Sequence, residues 1–302
     1  MTEHKLEILL DVAETGNMSE TGRKFYISPS SVSQIITGME KQYGILLFDR
    51  SKQPLTLTPS GLRLCSYARQ ILSLYREMES SLGAVQGRSF RLGSSFSIAS
   101  TFISPCILEF QKEAGSEIGI DLTINHHDKL QQQLLSYELD LAAMPLPANE
   151  NPLLTSIPLF RDPVSLCCHV SHPFANRSCV QLSELVDQKI TVPPRSSNIR
   201  EAFEQVIRKN GVVLEQVFTS NGQAAIKDLV LRNQTISLLS LILTQENIRQ
   251  GQLAMVKLEG FNYEREFGFL YRKDTNISPQ LERFIRFCLE KRGQIVDPKY
   301  LL

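Results

Sequence analysis

Residues 18–50, MSETGRKFYISPSSVSQIITGMEKQYGILLFDR, constrain this chain more than any other stretch, because two short helical patterns flank a stop and run into a strand pattern. The first helix is expected from about Ser19, with Ser19 as its N-cap and Phe25 and Ile27 turned inward at its end. Ser28-Pro29-Ser30 then halts it, since proline disfavours helical geometry in the residue before it and suits the first turn of a following helix. A second helix over about 30–42 puts Val32, Ile35, Ile36 and Met39 on one apolar stripe. The opposite face carries Ser30, Ser33, Gln34 and Thr37, with Lys41 near the end and no carboxylate. An ordinary solvated face mixes Glu with Lys. A helix entering the major groove instead needs short hydrogen-bonding groups that approach base edges without repelling phosphate, and Gln34 could pair with adenine. The stretch reads as a helix-turn-helix with a wing, aimed at double-stranded DNA.

Composition sets the limits of that reading. With 302 residues the chain can form two or three compact units, and 42% hydrophobic with 21% charged residues describes a globular protein rather than a disordered one. The 32 basic and 32 acidic residues cancel, and residues 1–88 alone are also near balance, so DNA affinity has to come from local placement of charge. The N-terminus lacks a secretory leader pattern, and Leu6, Leu9, Leu10 and Ala13 repeat as one helix face instead. Residues 236–243 form the longest apolar run, too short to span a bilayer. A cytoplasmic protein without membrane contact is expected. The six cysteines show no pairing pattern and are expected to be reduced, with Cys167 and Cys168 on opposite faces of a strand.

Several blocks occur in a fixed order: Ala13-Glu14-Thr15-Gly16-Asn17-Met18-Ser19, Ile27-Ser28-Pro29-Ser30-Ser31-Val32-Ser33-Gln34-Ile35-Ile36, Met39-Glu40, Tyr43-Gly44, Leu47-Phe48-Asp49-Arg50 and Leu57-Thr58-Pro59-Ser60-Gly61. Together they resemble the N-terminal signature of LysR-type transcriptional regulators. The resemblance implies a winged helix-turn-helix over 1–58, a dimerising linker helix over 59–88, and an effector-binding domain over 89–302. Pro29, Ser30, Ser33, Gln34 and Thr37 then face the bases, while Arg50 and Lys52 on the wing lie toward the phosphates or the minor groove. One departure is Thr21-Gly22 where the family has a pair of alanines; glycine should loosen that helix by up to about 1 kcal/mol.

Thr58-Pro59-Ser60 is a strong helix start, and Leu64, Ala68, Ile71, Tyr75, Met78, Leu82 and Val85 alternate at four- and three-residue spacing as a heptad seam. Such a seam needs a covering helix, either from a partner chain or from its own. The resemblance implies an antiparallel pairing in a homodimer, or a homotetramer, that reads a pseudo-palindromic operator, with RNA polymerase an admissible further partner.

Beyond residue 88 short apolar strands alternate with helices, which argues for a mostly parallel α/β domain. Strands are expected at 90–93, 121–125, 139–143, 164–169, 190–192, 217–220, 236–239 and 265–271, with the pattern restarting near Asp162-Pro163. The family resemblance makes this a two-lobed, periplasmic-binding-protein-like effector domain, lobe I spanning about 89–162 and 267–302 and lobe II about 163–266.

Two loops face the expected cleft. Ser94-Ser95-Phe96-Ser97 stands between a strand and a helix over 98–112, where free amides and a positive helix end favour an anion; the resemblance places a ligand-contacting hydroxyl near Ser97, with Ser95 beside it. Pro193-Pro194-Arg195-Ser196-Ser197-Asn198-Ile199-Arg200 resembles, in part, the basic, hydroxyl-rich loop of LysR regulators that sense phosphorylated or sulfur-containing metabolites. Arg195, Ser196, Ser197 and Thr219 are the expected contacts to a small anionic effector, and Arg200 is either a second anion clamp or an ion pair. The usual glycine-rich turn before the last cleft strand is replaced by Asn233-Gln234-Thr235, and a common proline by Ser240. His126-His127-Asp128 and Cys167-Cys168-His169 hint at a metal, but adjacent ligands on a strand diverge, so neither a metal nor any cofactor is expected. No nucleophile elbow, phosphate loop or acid pair emerges, which argues against an enzyme. Two other readings stay open: a solute-binding module that ignores DNA, and a thiol-based redox regulator, which needs two cysteines able to meet.

Overall fold

The computed structural model describes residues 1–81, 89–114, 118–149, 151–195, 197–275, 277–297 and 301. It opens with three helices, α1 (Glu3–Thr15), α2 (Met18–Lys24) and α3 (Pro29–Tyr43), followed by a two-stranded wing, β1 (Phe48–Asp49) and β2 (Thr56–Leu57), and a long helix α4 (Pro59–Ser81). Helix α2 starts earlier than Ser19: Asn17 is the N-cap, and its side-chain oxygen accepts the amides of Ser19 at 2.9 Å and Glu20 at 3.3 Å. Helix α3 is capped by Ser28, with Pro29 in its first turn, and ends at Gly44 in the left-handed conformation. Leu6, Leu9 and Val12 of α1, Val32, Ile36 and Met39 of α3, Leu47 and Phe48 of the wing, and Cys65, Ala68 and Leu72 of α4 make one buried cluster.

Gly22 has a packing role that helix propensity does not describe. A Cβ at this position would come within 2.7 Å of the Ile27 carbonyl oxygen and 3.3 Å of the Pro29 nitrogen. The turn into α3 folds directly over α2 and is tied there by the Ile27 amide donating to the Gly22 carbonyl at 2.9 Å. The missing side chain permits a close approach of the next turn's backbone to α2.

Helix α4 divides the expected seam. Ala68 and, in part, Leu64 are used by the chain's own N-terminal core. Tyr67, Ile71, Leu74, Tyr75 and Met78 form an exposed apolar stripe further along. Leu82 and Val85 lie outside the described residues.

The remainder alternates strands and helices: β3 (Ser89–Ser94), α5 (Phe96–Ile98), a π-helical turn (Ala99–Ile103), α6 (Ser104–Ala114), β4 (Gly119–Ile124), α7 (His127–Leu135), β5 (Leu141–Pro145), β6 (Leu154–His169), β7 (Cys179–Val180), β8 (Lys189–Val192), α8 (Asn198–Lys209), β9 (Gln216–Thr219), α9 (Gln223–Leu231), β10 (Ile236–Ser240), α10 (Leu241–Arg249), β11 (Leu253–Leu258), β12 (Tyr263–Arg272) and α11 (Pro279–Ile295). One continuous sheet runs in the order β4-β3-β5-β12-β6-β10-β8-β9, with β11 also on β6 and β7 beyond it. Strand β3 is parallel to β4 and β5, and β8 is parallel to β9 and β10. Strands β6 and β12 pair antiparallel along their length and join the two parallel halves. This is a two-lobed α/β domain whose lobes meet on a pair of crossing strands.

Two expectations change here. Asp162-Pro163 does not end a strand: β6 runs through it from Leu154 to His169. Among the described residues, β6 before Val164 pairs only with β12, apart from an isolated bridge from Phe160 to Leu301, and a strand with one open edge tolerates proline. Strand β11, with Leu253, Val256 and Leu258 buried, was not anticipated. Asn233, in the turn where the family has glycine, adopts φ 53°, a left-handed conformation for which asparagine is suited.

Lobe I packs a phenylalanine-rich core in which Phe284 of α11 lies 5.3 Å from Phe90 and 5.2 Å from Phe110, ring to ring. Ile242 of α10 is buried in that same core although α10 follows a lobe II strand. Lobe II closes around Leu166, Ile190, Phe203, Ile236 and Leu238.

The substitution Gly22→Ala is expected to lower the unfolding free energy in urea by about 1–3 kcal/mol through overpacking. Alanine is the better helix former by about 1 kcal/mol, so an unchanged or raised urea midpoint would show that the turn yields instead.

Candidate DNA interface and interlobe site

The surface of α3 meets the requirement read from the sequence. Pro29, Ser30 and Gln34 are exposed, and Ser33 and Thr37 are half-buried. The only acidic residue of the helix, Glu40, is 7% exposed and turned inward. Its carboxylate accepts the Leu47 amide at 2.9 Å and the Arg50 guanidinium at 2.8 Å, so a single side chain fixes α3 to the wing. Arg50 also donates to the Thr37 hydroxyl at 3.1 Å. Thr37 and Arg50 are therefore bound to each other at the rim of α3, and the expected reach of Arg50 toward DNA begins from this anchored position. Lys52 is 65% exposed at the wing tip, 3.8 Å from Asp49.

Two residues near α3 were not anticipated. Tyr26 is 96% exposed in the turn between α2 and α3 and holds φ 55°, a left-handed conformation unusual for a bulky residue. Lys5 of α1 shares a hollow of about 340 Å³ with Ser31, Gln34 and Gly38. Tyr26-Ile27 offered the signal of an aromatic beside an inward residue at a turn; Lys5 offered none, because only the packing of α1 under α3 brings it there.

The interlobe residues lie at the C-terminal ends of β3, β8, β9 and β10, where open α/β sheets bind ligands. Ser95 and Ser97 are 7% and 4% exposed, and Ser95 Oγ has no hydrogen-bond partner among the described residues. A helical run follows directly, through α5, the π-helical turn and α6 from Phe96 to Ala114, while the Ser95 amide itself donates to the Ala143 carbonyl at 2.9 Å. Ser240, the N-cap of α10, is 3% exposed with its Oγ equally unpartnered. Helix α5 packs against α10, so both hydroxyls lie along one seam between the lobes.

Beneath that seam, Asp162 of β6 accepts the Ile242 amide at 3.0 Å and the Arg265 guanidinium at 2.6 Å, while Arg265 Nε has no hydrogen-bond partner among the described residues. Ser240 and Arg265 thus join the cleft set, and neither was selected from the sequence. A serine in place of proline was the available signal for the first; for the second there was none, since Arg265 meets Asp162 only by strand register.

On lobe II, Arg195 is exposed and Ser197 is the half-buried N-cap of α8, with no side-chain bond to the helix. Ser196 lies outside the described residues. Thr219 is exposed and accepts from Arg200 at 2.9 Å. Arg200 also reaches the Pro193 carbonyl at 3.2 Å and Glu204 at 2.7 Å, which holds the Glu204 carboxyl below the usual carboxylate range. Of the two roles left open for Arg200, this geometry is that of an ion pair bracing the ends of β8 and β9.

The histidines revise one expectation. His126 and His127 do not diverge: they sit at the start of α7 with ring centroids 4.0 Å apart and Asp128 within 3.5 Å of both. The positive end of α7 opposes a cation there. Burial, reinforced by the adjacent His126, pushes the His127 imidazole below its ordinary value. Cys106 and Cys288 lie in the same lobe I core, and burial, reinforced by Cys106, pushes the Cys288 thiol up, away from the reactive thiolate. Cys167 and Cys168 point into different clusters, as expected for strand neighbours, with thiols pushed up to about 12 and about 11.

A winged helix-turn-helix joined through one long helix to a two-lobed α/β domain defines the architecture of a bacterial regulator. The chain belongs to the LysR family: the family described as "Bacterial regulatory helix-turn-helix protein, lysR family" matches residues 4–62, and the "LysR substrate binding domain" matches residues 83–293. It is a LysR-type transcriptional regulator. A similar sequence is the HTH-type transcriptional regulator CysL of Bacillus subtilis, 24% identical over 93% of this chain and 94% of that protein. Among solved structures, a full-length OxyR variant from Pseudomonas aeruginosa superposes with a TM-score of 0.76 at 17% identity, covering 100% of this chain and 98% of that one. CbnR in complex with its target DNA superposes at 0.63 and 18% identity, covering 97% and 100%. Among the described residues, no helix is long and apolar enough to cross a membrane.

Replacing Glu40 with alanine strands the Leu47 amide without its acceptor and is expected to cost about 1–3 kcal/mol of stability in a urea titration. Glu40→Gln, which retains an acceptor oxygen, should recover part of that loss; equal midpoints for both variants and the parent would refute the bridging role.

Proposed function

We propose that this regulator acts in the cytoplasm as a homodimer or homotetramer, binds a pseudo-palindromic operator through paired α3 helices, and responds to a small anionic metabolite between the lobes. Residues 1–58 form the DNA-binding unit, 59–88 the dimerising helix, and 89–302 the effector domain, divided between lobes at about 162/163 and 266/267. Pro29, Ser30, Ser33, Gln34 and Thr37 face the base edges. Arg50 and Lys52 serve the phosphates or the minor groove. The observation that carries this reading is the exposed, acid-free face of α3, whose one carboxylate is buried against the wing.

Ser95, Ser97, Arg195, Ser196, Ser197 and Thr219 are the effector contacts, joined by Ser240 and Arg265. Support for an anionic effector comes from the unpartnered Ser95 Oγ, Ser240 Oγ and Arg265 Nε at the lobe junction and the exposed Arg195 at its rim. Effector binding biases the placement of the DNA-binding units and hence DNA bending, with RNA polymerase as the downstream partner. Gel-shift and footprinting on DNA immediately upstream of its own coding region, with and without phosphate, sulfate and carboxylate compounds, tests the whole reading; binding no stronger than to bulk competitor DNA would defeat it.

Gln34→Ala is expected to relax specificity at one operator position by about 1–3 kcal/mol, read by binding-site selection; an unchanged sequence preference would remove Gln34 from the base readers. Ile71→Glu places a charge on the exposed stripe of α4 and is expected to shift the protein to monomer in sedimentation equilibrium. A retained oligomer would place the interface elsewhere.

A further inference from the structure

Helix α4 has a third face, separate from the one buried in the N-terminal core and from the exposed apolar stripe. There Gln70 Nε2 donates to the Tyr137 hydroxyl at 2.9 Å, and Arg69 lies 3.2 Å from the Glu138 carboxylate. Tyr137 and Glu138 belong to the turn between α7 and β5 of lobe I, so these contacts join the DNA-binding half to the effector half.

The turn is built to hold this position. Tyr137 adopts φ 60°, which a bulky residue takes only when its surroundings enforce it. Its ring lies on the guanidinium of the buried Arg272 with 3.6 Å from Cζ to the ring centroid. Arg272 in turn donates to the carbonyls of Leu134 at 2.6 Å and Leu139 at 3.2 Å. The Tyr137 carbonyl accepts from Arg91 of β3 at 2.7 Å. The hydroxyl is fully used, accepting from Gln70 and donating to Asp274 at 2.6 Å.

From this joint a chain of hydrogen bonds leads to the interlobe seam. Glu138 accepts from Gln133 at 3.3 Å, Gln133 accepts from Asn125 at 3.2 Å, and the Asn125 amide donates to the Ser94 carbonyl at 3.1 Å. The next residue is Ser95, with its unpartnered buried hydroxyl. The first two links run from side chain to side chain and the last is the Asn125 backbone N–H, so displacing the end of β3 moves Asn125 and, through it, the acceptor that holds Arg69.

We infer that Arg69, Gln70, Tyr137 and Glu138 form the joint that couples the end of β3 to the linker helix, with Tyr137 as its positioning residue. The purpose of the joint rests on the regulatory function proposed above. Its existence does not, and it can be measured with neither DNA nor effector present.

The test is hydrogen–deuterium exchange on the full chain, comparing Arg69→Ala, Tyr137→Phe and Asn125→Ala with the parent. Tyr137→Phe keeps the ring on Arg272 and loses only the hydroxyl bonds, so the turn itself survives. Losing one such bond, at about 0.5–1.5 kcal/mol, corresponds to roughly two- to tenfold faster exchange in the coupled segment. Arg69→Ala and Tyr137→Phe should therefore accelerate exchange at residues 94–98, and Asn125→Ala should accelerate it at residues 62–75 of α4, because coupling between two sites is reciprocal. Arg69→Lys, which keeps a cation near Glu138, should restore most of the parent rate at 94–98. Acceleration confined to each mutated element, or transmission in one direction only, overturns the inference. If the operator experiments fail while reciprocal exchange is seen, the joint stands and the DNA reading falls.

Discussion

The N-terminal half depends on a buried carboxylate used twice. Glu40 is the only acid on α3, and an exposed acid there would repel phosphate as the helix approached DNA. Turned inward, the same group satisfies the Leu47 backbone amide and neutralises Arg50, which gives the very short wing a fixed origin. Two strands of two residues each cannot hold a hairpin by their own pairing. The carboxylate, together with the Thr58 hydroxyl donating to the Leu46 carbonyl at 2.7 Å, supplies what the ladder lacks.

The effector half repeats this device on a larger scale. Asp162 lies on the strand that belongs to both lobes, holds Arg265 across the register of β6 and β12, and accepts the amide of Ile242 in the first turn of α10. An acidic side chain at a helix start and an ion pair between crossing strands thus become one buried network. The unpartnered hydroxyls of Ser95 and Ser240 stand above it, so the polar capacity of the lobe junction is concentrated where the two halves of the sheet meet.

The helix-turn-helix was legible because its signals are local: a proline-bearing stop, an apolar stripe on α3 and a polar face opposite it. The cap was misplaced by two residues because Asn17 and Ser19 are both good caps, and packing rather than propensity chose between them. At Gly22 propensity describes only the helix itself, whereas its neighbour is the backbone of the next turn. On α4 the heptad spacing was real, yet Ala68 and Cys65 serve the chain's own core, and one sequence pattern cannot say which covering partner each position meets. Arg265, Glu40 and the Arg69–Glu138 pair were illegible for a common reason: their partners are 103, 7 and 10, and about 70 residues away, brought together by register or docking.

Ile242 has a consequence for how the two lobes share their fate. It follows a strand of one lobe yet fills a place in the aromatic core of the other. Separating the lobes at that point would return an isoleucine to water, at about 1.5–3 kcal/mol, and leave a gap among phenylalanine rings. The two lobes thus share a core position, and a lobe transplanted from a relative has to bring a matching socket with it.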